Sequence, residues 1–215
     1  MRYDIDRDHV ELSVRELCEL AFLRGNIDCH RSPTSLRERA AEGQRVHQKL
    51  QTSFGALYHS EVELRNTSKV DEVYFFVKGR ADGIIYHNGH YTVDEIKTVG
   101  EKIFSSHEVD ELHLAQLYCY AYFLCNTKEL RSVNTRMIYY NVDSDEIEYH
   151  EKVVMAEELR SFYYRLLSMV LWRGRDLRGR ARDRMVAVAS APFPYSSLRN
   201  SQAEMIKEGY RDIKH

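Results

Sequence analysis

The chain has 215 residues, 43% hydrophobic and 30% charged, with a formal net charge of −2. That length suits one large domain, or one domain plus an extension, with a real buried core. The near-neutral balance excludes a uniformly basic, nucleic-acid-coating protein, so any phosphate must be met by a local patch or a bound cation. The opening MRYDIDRDHVELS is charged and has no apolar stretch of the signal-peptide kind, and no run approaches the ~18 apolar residues of a membrane span. Cys18, Cys29, Cys119 and Cys125 form no CxxC pair, which excludes a zinc or redox reading from spacing. Together these features predict a cytoplasmic protein with reduced thiols and no membrane partner.

Taken in chain order, residues 8–22 carry Val10, Leu12, Val14, Leu17, Leu20 and Phe22, a spacing that predicts one amphipathic helix. A break at 30–34 precedes a second predicted helix over 35–53, with Leu36, Ala40, Val46 and Leu50 inward. Residues 59–68 alternate in part, and 71–87 and 90–99 are rich in Val, Ile, Tyr and Phe, so this region predicts strands. Asn88-Gly89 between the last two signals a tight hairpin, because a type I′ turn needs positive φ at both central residues. A helix follows over 107–126, then a strand pair over 131–142 and 146–153, then a helix over 156–172. This order predicts an α/β or α+β sandwich with the sheet covered by helices on both sides.

The hairpin carries the chemistry. Counting back from a two-residue turn sets Tyr86 against Tyr91, Ile84 against Val93, Asp82 against Glu95 and Arg80 against Lys97. Side chains alternate along a strand, so these last four residues share one face, with directly opposed Cβ atoms about 5 Å apart. Opposed carboxylates repel, and Ile84, Ile85, Val93 and Ile96 argue that the hairpin is buried, where repulsion is stronger. The conflict is relieved by exposure, by protonating one acid, or by a divalent cation such as Mg²⁺ or Mn²⁺ between hard oxygen ligands. Lys97 beside such a centre is placed to hold a water and to offset charge on a phosphoryl oxygen. The plain alternative is a salt-bridged strand pair, Glu95 with Arg80 and Asp82 with Lys97.

GRADGI (79–84), a hairpin, then VDEIKT (93–98) resembles the central motifs of the PD-(D/E)XK nucleases, especially RecB-type and CRISPR-adaptation exonucleases. GQRVH (43–47) resembles that family's Gly-x-x-x-His motif upstream, and QLYCY (116–120) its Gln-x-x-x-Tyr motif downstream. The resemblance covers about residues 35–125. It implies an α/β, restriction-endonuclease-like core with a mixed central sheet flanked by helices, and a metal-dependent DNA nuclease, with exonuclease favoured. Asp82, Glu95, Lys97, Gln116 and Tyr120 are then the catalytic set, and His47, Asp82, Glu95 and the Ile96 carbonyl the metal ligands. Mg²⁺ or Mn²⁺ is the implied cofactor, and DNA, single-stranded or with free ends, the implied partner. Gln116 and Tyr120, at i and i+4, share a helix face. Ordinary helix packing explains Tyr120 equally well, and a surface or core histidine is the plain reading of His47. Glu61 or Glu63 stands as an outer carboxylate, though a solvated strand face also accounts for both.

The chain departs from the pattern in its thiols. Relatives with an iron–sulfur cluster place three Cys after the Gln-x-x-x-Tyr helix, whereas here none follows Cys125, so no cluster is expected. Cys119 and Cys125 are expected in the core instead. Residues 193–213, FPYSSLRNSQAEMIKEGYRDI, resemble the opening Q-motif region of DinG-type and XPD-type helicases, with Gln202 as the adenine-reading residue. The implied division is a nuclease domain at 1–172, an Arg-rich linker at 173–192 with opportunistic phosphate contact, and the start of a helicase-like segment at 193–215. A helicase module in cis or trans is then the implied partner, in DNA repair or processing. The alternative function is a catalytically silent domain that guides DNA to a helicase. An unrelated phosphoesterase and a plain structural module are the remaining readings.

Overall fold

The computed structural model describes residues 2–4, 9–22 and 33–190. The elements in chain order are β1 Arg2–Asp4, β2 His9–Ser13, α1 Val14–Ala21, α2 Pro33–Ser53, β3 Tyr58–Val70, β4 Val73–His87, β5 His90–Val99, α3 Glu101–Phe104, α4 Glu111–Lys128, β6 Ser132–Asn141, β7 Ile147–Met155 and α5 Ala156–Ser190. The strands form one seven-stranded sheet in the order β1-β2-β4-β5-β6-β7, with β3 branching onto β4. The β2–β4 and β5–β6 pairs are parallel and the others antiparallel, so the sheet is mixed, as expected for this α/β chain.

The predicted hairpin forms with the expected turn. Asn88 and Gly89 both have positive φ, at 51° and 82°, and His87 pairs with His90. The predicted helix over 8–22 is corrected in its first part, since residues 9–13 are strand β2. Val10 and Leu12 are buried at period two, and β2 runs parallel to β4 from Tyr74 to Lys78. The helix starts only at Val14, where Ser13 caps it. The Ser13 hydroxyl accepts from the Glu16 backbone N–H, and the Glu16 carboxylate accepts from the Ser13 backbone, a reciprocal capping box. The helix predicted over 107–126 is α4, which starts later, at Glu111, and runs to Lys128; the short α3 precedes it and was not expected. Asp110 caps α4, its Oδ1 accepting from the backbone N–H groups of Leu112 and His113.

Two apolar clusters flank the sheet. The larger joins α1, α4 and α5 to the strands. In α4 every residue from Ala115 to Cys125 is buried, as befits a helix covered on all sides. Rings lock α4 to α5: Tyr122 stacks on Tyr163 at 4.9 Å, and Phe123 meets Tyr163 edge-on at 5.2 Å. Cys18, Cys119 and Cys125 are free and buried in this cluster. The smaller cluster joins Val46 and Leu50 of α2 to Ile96, Ile138 and Tyr140. Alternation along β5 therefore sends Val93 and Val99 to the α4 side and Ile96 to the α2 side.

By its internal contacts the chain divides into two compact units, Met1–Trp172 and Arg173–His215. Helix α5 runs to Ser190, longer than the 156–172 expected, so the Arg-dense residues 173–184 are helical. The helicase-like segment 193–215, Gln202 included, and Cys29 lie outside the described residues. None of the described helices is long and apolar enough to cross a membrane.

Candidate active site

Strand β4 organises the site. β3 runs along one of its edges from Val73 to Ile85. The other edge is divided: β2 pairs with Tyr74–Lys78 and β5 with Gly83–His87. Residues 79–82 fall between the two ladders, and none of the described strands pairs with them on that edge. Their backbone groups must find other partners.

Side chains from three helices meet this stretch. Tyr120 of α4 packs on Gly79, where an added Cβ would lie 2.9 Å from the ring, and it shares a hydrogen bond with the Arg80 backbone. Val14, the first residue of α1, closes on the same glycine, 3.1 Å from that Cβ position. On the α2 side, Gln51 Nε2 donates to the Asp82 carbonyl at 2.9 Å. Tyr86 pairs with Tyr91 and Ile84 with Val93, as expected, but the ladder is shorter than the count from the turn assumes. The β4–β5 ladder ends at Gly83 opposite Asp94, so Asp82 is not paired across from Glu95, nor Arg80 from Lys97. Arg80 lies opposite Glu63 on β3, and Lys97 opposite Tyr139 on β6.

In place of ladder pairing, the Asp82 side chain bridges the gap. Its Oδ2 accepts from the Ile96 backbone N–H at 2.7 Å. Its Oδ1 lies 3.4 Å from His47 Nδ1. His47 reaches it because Gly43, one turn earlier in α2, lets the helix pass close to β5. A Cβ at Gly43 would sit 3.3 Å from the Thr98 hydroxyl. Burial works against a charge on His47, but the hydrogen bond and charge of Asp82 outweigh it and raise the imidazole pKa. The negative field that favours a proton there also favours a divalent cation.

Glu95 and Lys97 lie on the other side of β5, toward α4. Lys97 Nζ is 2.6 Å from Glu95 Oε1 and donates to Gln116 Oε1 at 2.7 Å. The ion pairs expected of a plain salt-bridged hairpin, Glu95–Arg80 and Asp82–Lys97, are replaced by this one and by Arg80 with Glu61 and Glu63. Glu95 is only 4% exposed, and its second oxygen, Oε2, has no hydrogen-bond partner. Burial pushes its pKa up to about 7 against the opposing pull of the Lys97 ammonium, with Asp82 adding to the rise. Next to it, fully buried Asp94 offers both oxygens to Arg136, which ties β5 to β6 beneath the site. Gly83 leaves the room that Tyr58 occupies, since a Cβ there would overlap the phenol.

The site opens into a cleft of about 610 Å³ lined by Gln44, His47, Gln48, Gln51, Glu61 and Arg80 among others. Within the described residues, ligand-capable atoms of His47, Glu61 and Asp82 lie within 4.8 Å of one another. Oxygen donors with an imidazole suit a divalent cation. A buried carboxylate oxygen lacking a partner is the further sign that the donor set fits one. Glu95 does not belong to that close group, although His47 and Asp82 act on its charge. Gln51 was not singled out by the sequence. Its signal was position, four residues after His47 on the same helix face.

The sequence profile of the PD-(D/E)XK nuclease superfamily matches residues 36–184, and the chain belongs to that superfamily. No curated protein matches the sequence. Among solved structures, SSO0001 is similar at a TM-score of 0.53, with 19% identity over 79% of this chain and 78% of that one. LHK-Exo in complex with dAMP gives a TM-score of 0.49 and 8% identity over 81% and 93% of the two chains. A second structure of LHK-Exo, the alkaline exonuclease from Laribacter hongkongensis, gives 0.40 and 10% over 79% and 94%. At its identity the SSO0001 likeness is one of fold, and the two lower scores carry no argument.

Proposed function

We propose that this chain is a Mg²⁺- or Mn²⁺-dependent deoxyribonuclease that hydrolyses phosphodiester bonds. The observation that carries the reading is the Lys97 ammonium, gripped between Glu95 and Gln116 beside a half-buried Asp82–His47 pair. In hydrolysis a water oxygen forms a new bond to phosphorus while a phosphorus–oxygen bond to the sugar breaks. Asp82, Glu95 and His47, with the Ile96 carbonyl, are assigned to hold the cation. When bound, that cation supplies Lewis-acid assistance to the displacement. Lys97 orients the attacking water and offsets charge on the phosphoryl oxygens. Gln116 fixes the Lys97 ammonium through the bond it accepts. Tyr120 acts from behind, holding the Gly79–Arg80 backbone so that Asp82 can span the gap.

The finer readings rest on the motif resemblance. Similarity to RecB-type enzymes favours an exonuclease acting on DNA strands or ends. The segment 193–213 supports a helicase partner, in cis or trans, in DNA repair or processing. The Arg-dense end of α5 fits a helical linker that touches phosphates in passing. An assay on single-stranded DNA, and on duplexes with free or sealed ends, in Mg²⁺, Mn²⁺ and EDTA tests the proposal. Release of mononucleotides from free ends, abolished by EDTA, is the expected result. No cleavage in either metal, or cleavage only of generic phosphate esters, overturns it.

A further inference from the structure

Strand β3 is regular on both sides of one residue. Ser60 pairs with Gly83 and Val62 with Ala81, which sets Glu61 opposite Asp82. Glu61 has φ of 56°, in the left-handed region that residues with a Cβ rarely adopt. A strand ladder does not ask for that conformation, and strain of this kind persists where the surroundings enforce it.

The surroundings hold the Glu61 carboxylate toward the gap in β4. Gln51 Nε2, the donor to the Asp82 carbonyl, also donates to Glu61 Oε1 at 3.1 Å. The Arg80 guanidinium lies 3.5 Å from Glu61 Oε2. Glu63, on the same strand, also reaches Arg80, at 3.6 Å, but it does not belong to the group of close ligand atoms formed by His47, Glu61 and Asp82. Nearby, Glu95 Oε2 is buried without a partner. Two carboxylates and an imidazole converge here, and the arginine that meets Glu61 is 57% exposed to water.

We propose that Glu61 is a direct ligand of the divalent cation, shared with His47 and Asp82, and that Arg80 holds its carboxylate when no cation is bound. This assignment rests on the metal-dependent reading above and adds a ligand that reading does not contain. The left-handed turn at Glu61 is what brings a strand residue to the cation. The exposed position of Glu61 leaves the remaining coordination places open to water and to a substrate phosphate, the usual arrangement for Mg²⁺ and Mn²⁺.

Glycine adopts positive φ freely, so Glu61→Gly relaxes the backbone while removing the ligand. Binding and stability then move in opposite directions, which a merely structural glutamate does not produce. The experiment is Mn²⁺ titration of the full chain, followed by the electron paramagnetic resonance of free Mn²⁺, with thermal melts alongside. Glu61→Gln and Glu61→Gly are expected to weaken Mn²⁺ binding at least about tenfold. Glu61→Gly is expected to melt no lower than the unchanged chain, and Glu63→Gln to bind Mn²⁺ as the unchanged chain does. Unaltered affinity in Glu61→Gln, or an equal loss in Glu63→Gln, overturns the assignment while leaving the metal-dependent reading intact. No Mn²⁺ uptake by the unchanged chain overturns both.

Discussion

On the α4 side of the sheet, Phe123, Tyr163, Leu117 and Leu166 are packed with scarcely any exposure, and the cluster takes in three helices. On the α2 side, Val46, Leu50, Ile96, Ile138 and Tyr140 make a small cluster, and the rest of the face is polar cleft. The site draws on both. Glu95, Lys97 and Gln116 sit against the large core, while His47, Gln51, Glu61 and Arg80 line the cleft. One half of the site is thus set by close packing, and the other by hydrogen bonds and charges around a gap in β4. The contrast teaches that, on the proposed reading, Lys97 and Glu95 take their positions from close packing, whereas His47 and Glu61 take theirs beside open solvent.

The largest expected effect tests the packed half. Lys97→Ala should lower DNA cleavage by at least about 100-fold while leaving Mn²⁺ affinity nearly unchanged. Full activity in that variant would discard the role given to Lys97. Next, truncation should separate the two cores. Phe123→Ala should cost about 3–5 kcal/mol and Leu50→Ala about 2 kcal/mol in urea unfolding, because only the former leaves a void closed on all sides. Equal losses would erase the distinction between the faces.

A pH experiment sharpens the same point. Burial, with Lys97 adding to it, lowers the His113 pKa to about 4 from its ordinary 6.5. Between those values the unfolded chain binds a proton at this residue and the folded chain does not. Stability is therefore complete above pH 6.5 and falls as pH drops toward 4, by up to about 3 kcal/mol. His113→Gln should flatten that acid limb in denaturant titrations at pH 7 and pH 5, and an unchanged slope would reassign it to other groups. The smallest effect concerns the crossing of α2 over β5. Gly43→Ala should cost less than about 1 kcal/mol, since Thr98 has only to yield by tenths of an ångström, yet it should weaken Mn²⁺ binding by displacing His47. Unchanged metal affinity would mean that this crossing does not set the ligand.

The sequence made the hairpin and most elements legible because their signals are local. Asn88-Gly89 dictates its turn through φ alone, and α4 announces itself by length. Strand β2 was missed because Val10, Leu12, Val14 and Leu17 fit a helical stripe and a short alternating strand alike, and only pairing with β4 decides between them. Asp82, Glu95 and Lys97 were readable as a set, but their mutual arrangement was not. Counting residues back from a turn assumes that the ladder continues, and nothing local reveals that it ends at Gly83 or that Tyr120 and Val14, distant in sequence, pack on Gly79. Gln51 and the left-handed Glu61 escaped for the same reason, since both matter only through what lies across the gap.

The bond from the Ile96 amide to Asp82 has a consequence for mutational surveys. Its donor is main chain, so exchanging the side chain at position 96 leaves it in place, and such a scan reports only how well the new residue fits beside Val46 and Leu50. A tolerant position 96 would therefore say nothing against its importance. Proline, or an ester linkage introduced by chemical synthesis, is what removes the hydrogen and exposes how far the aspartate depends on it.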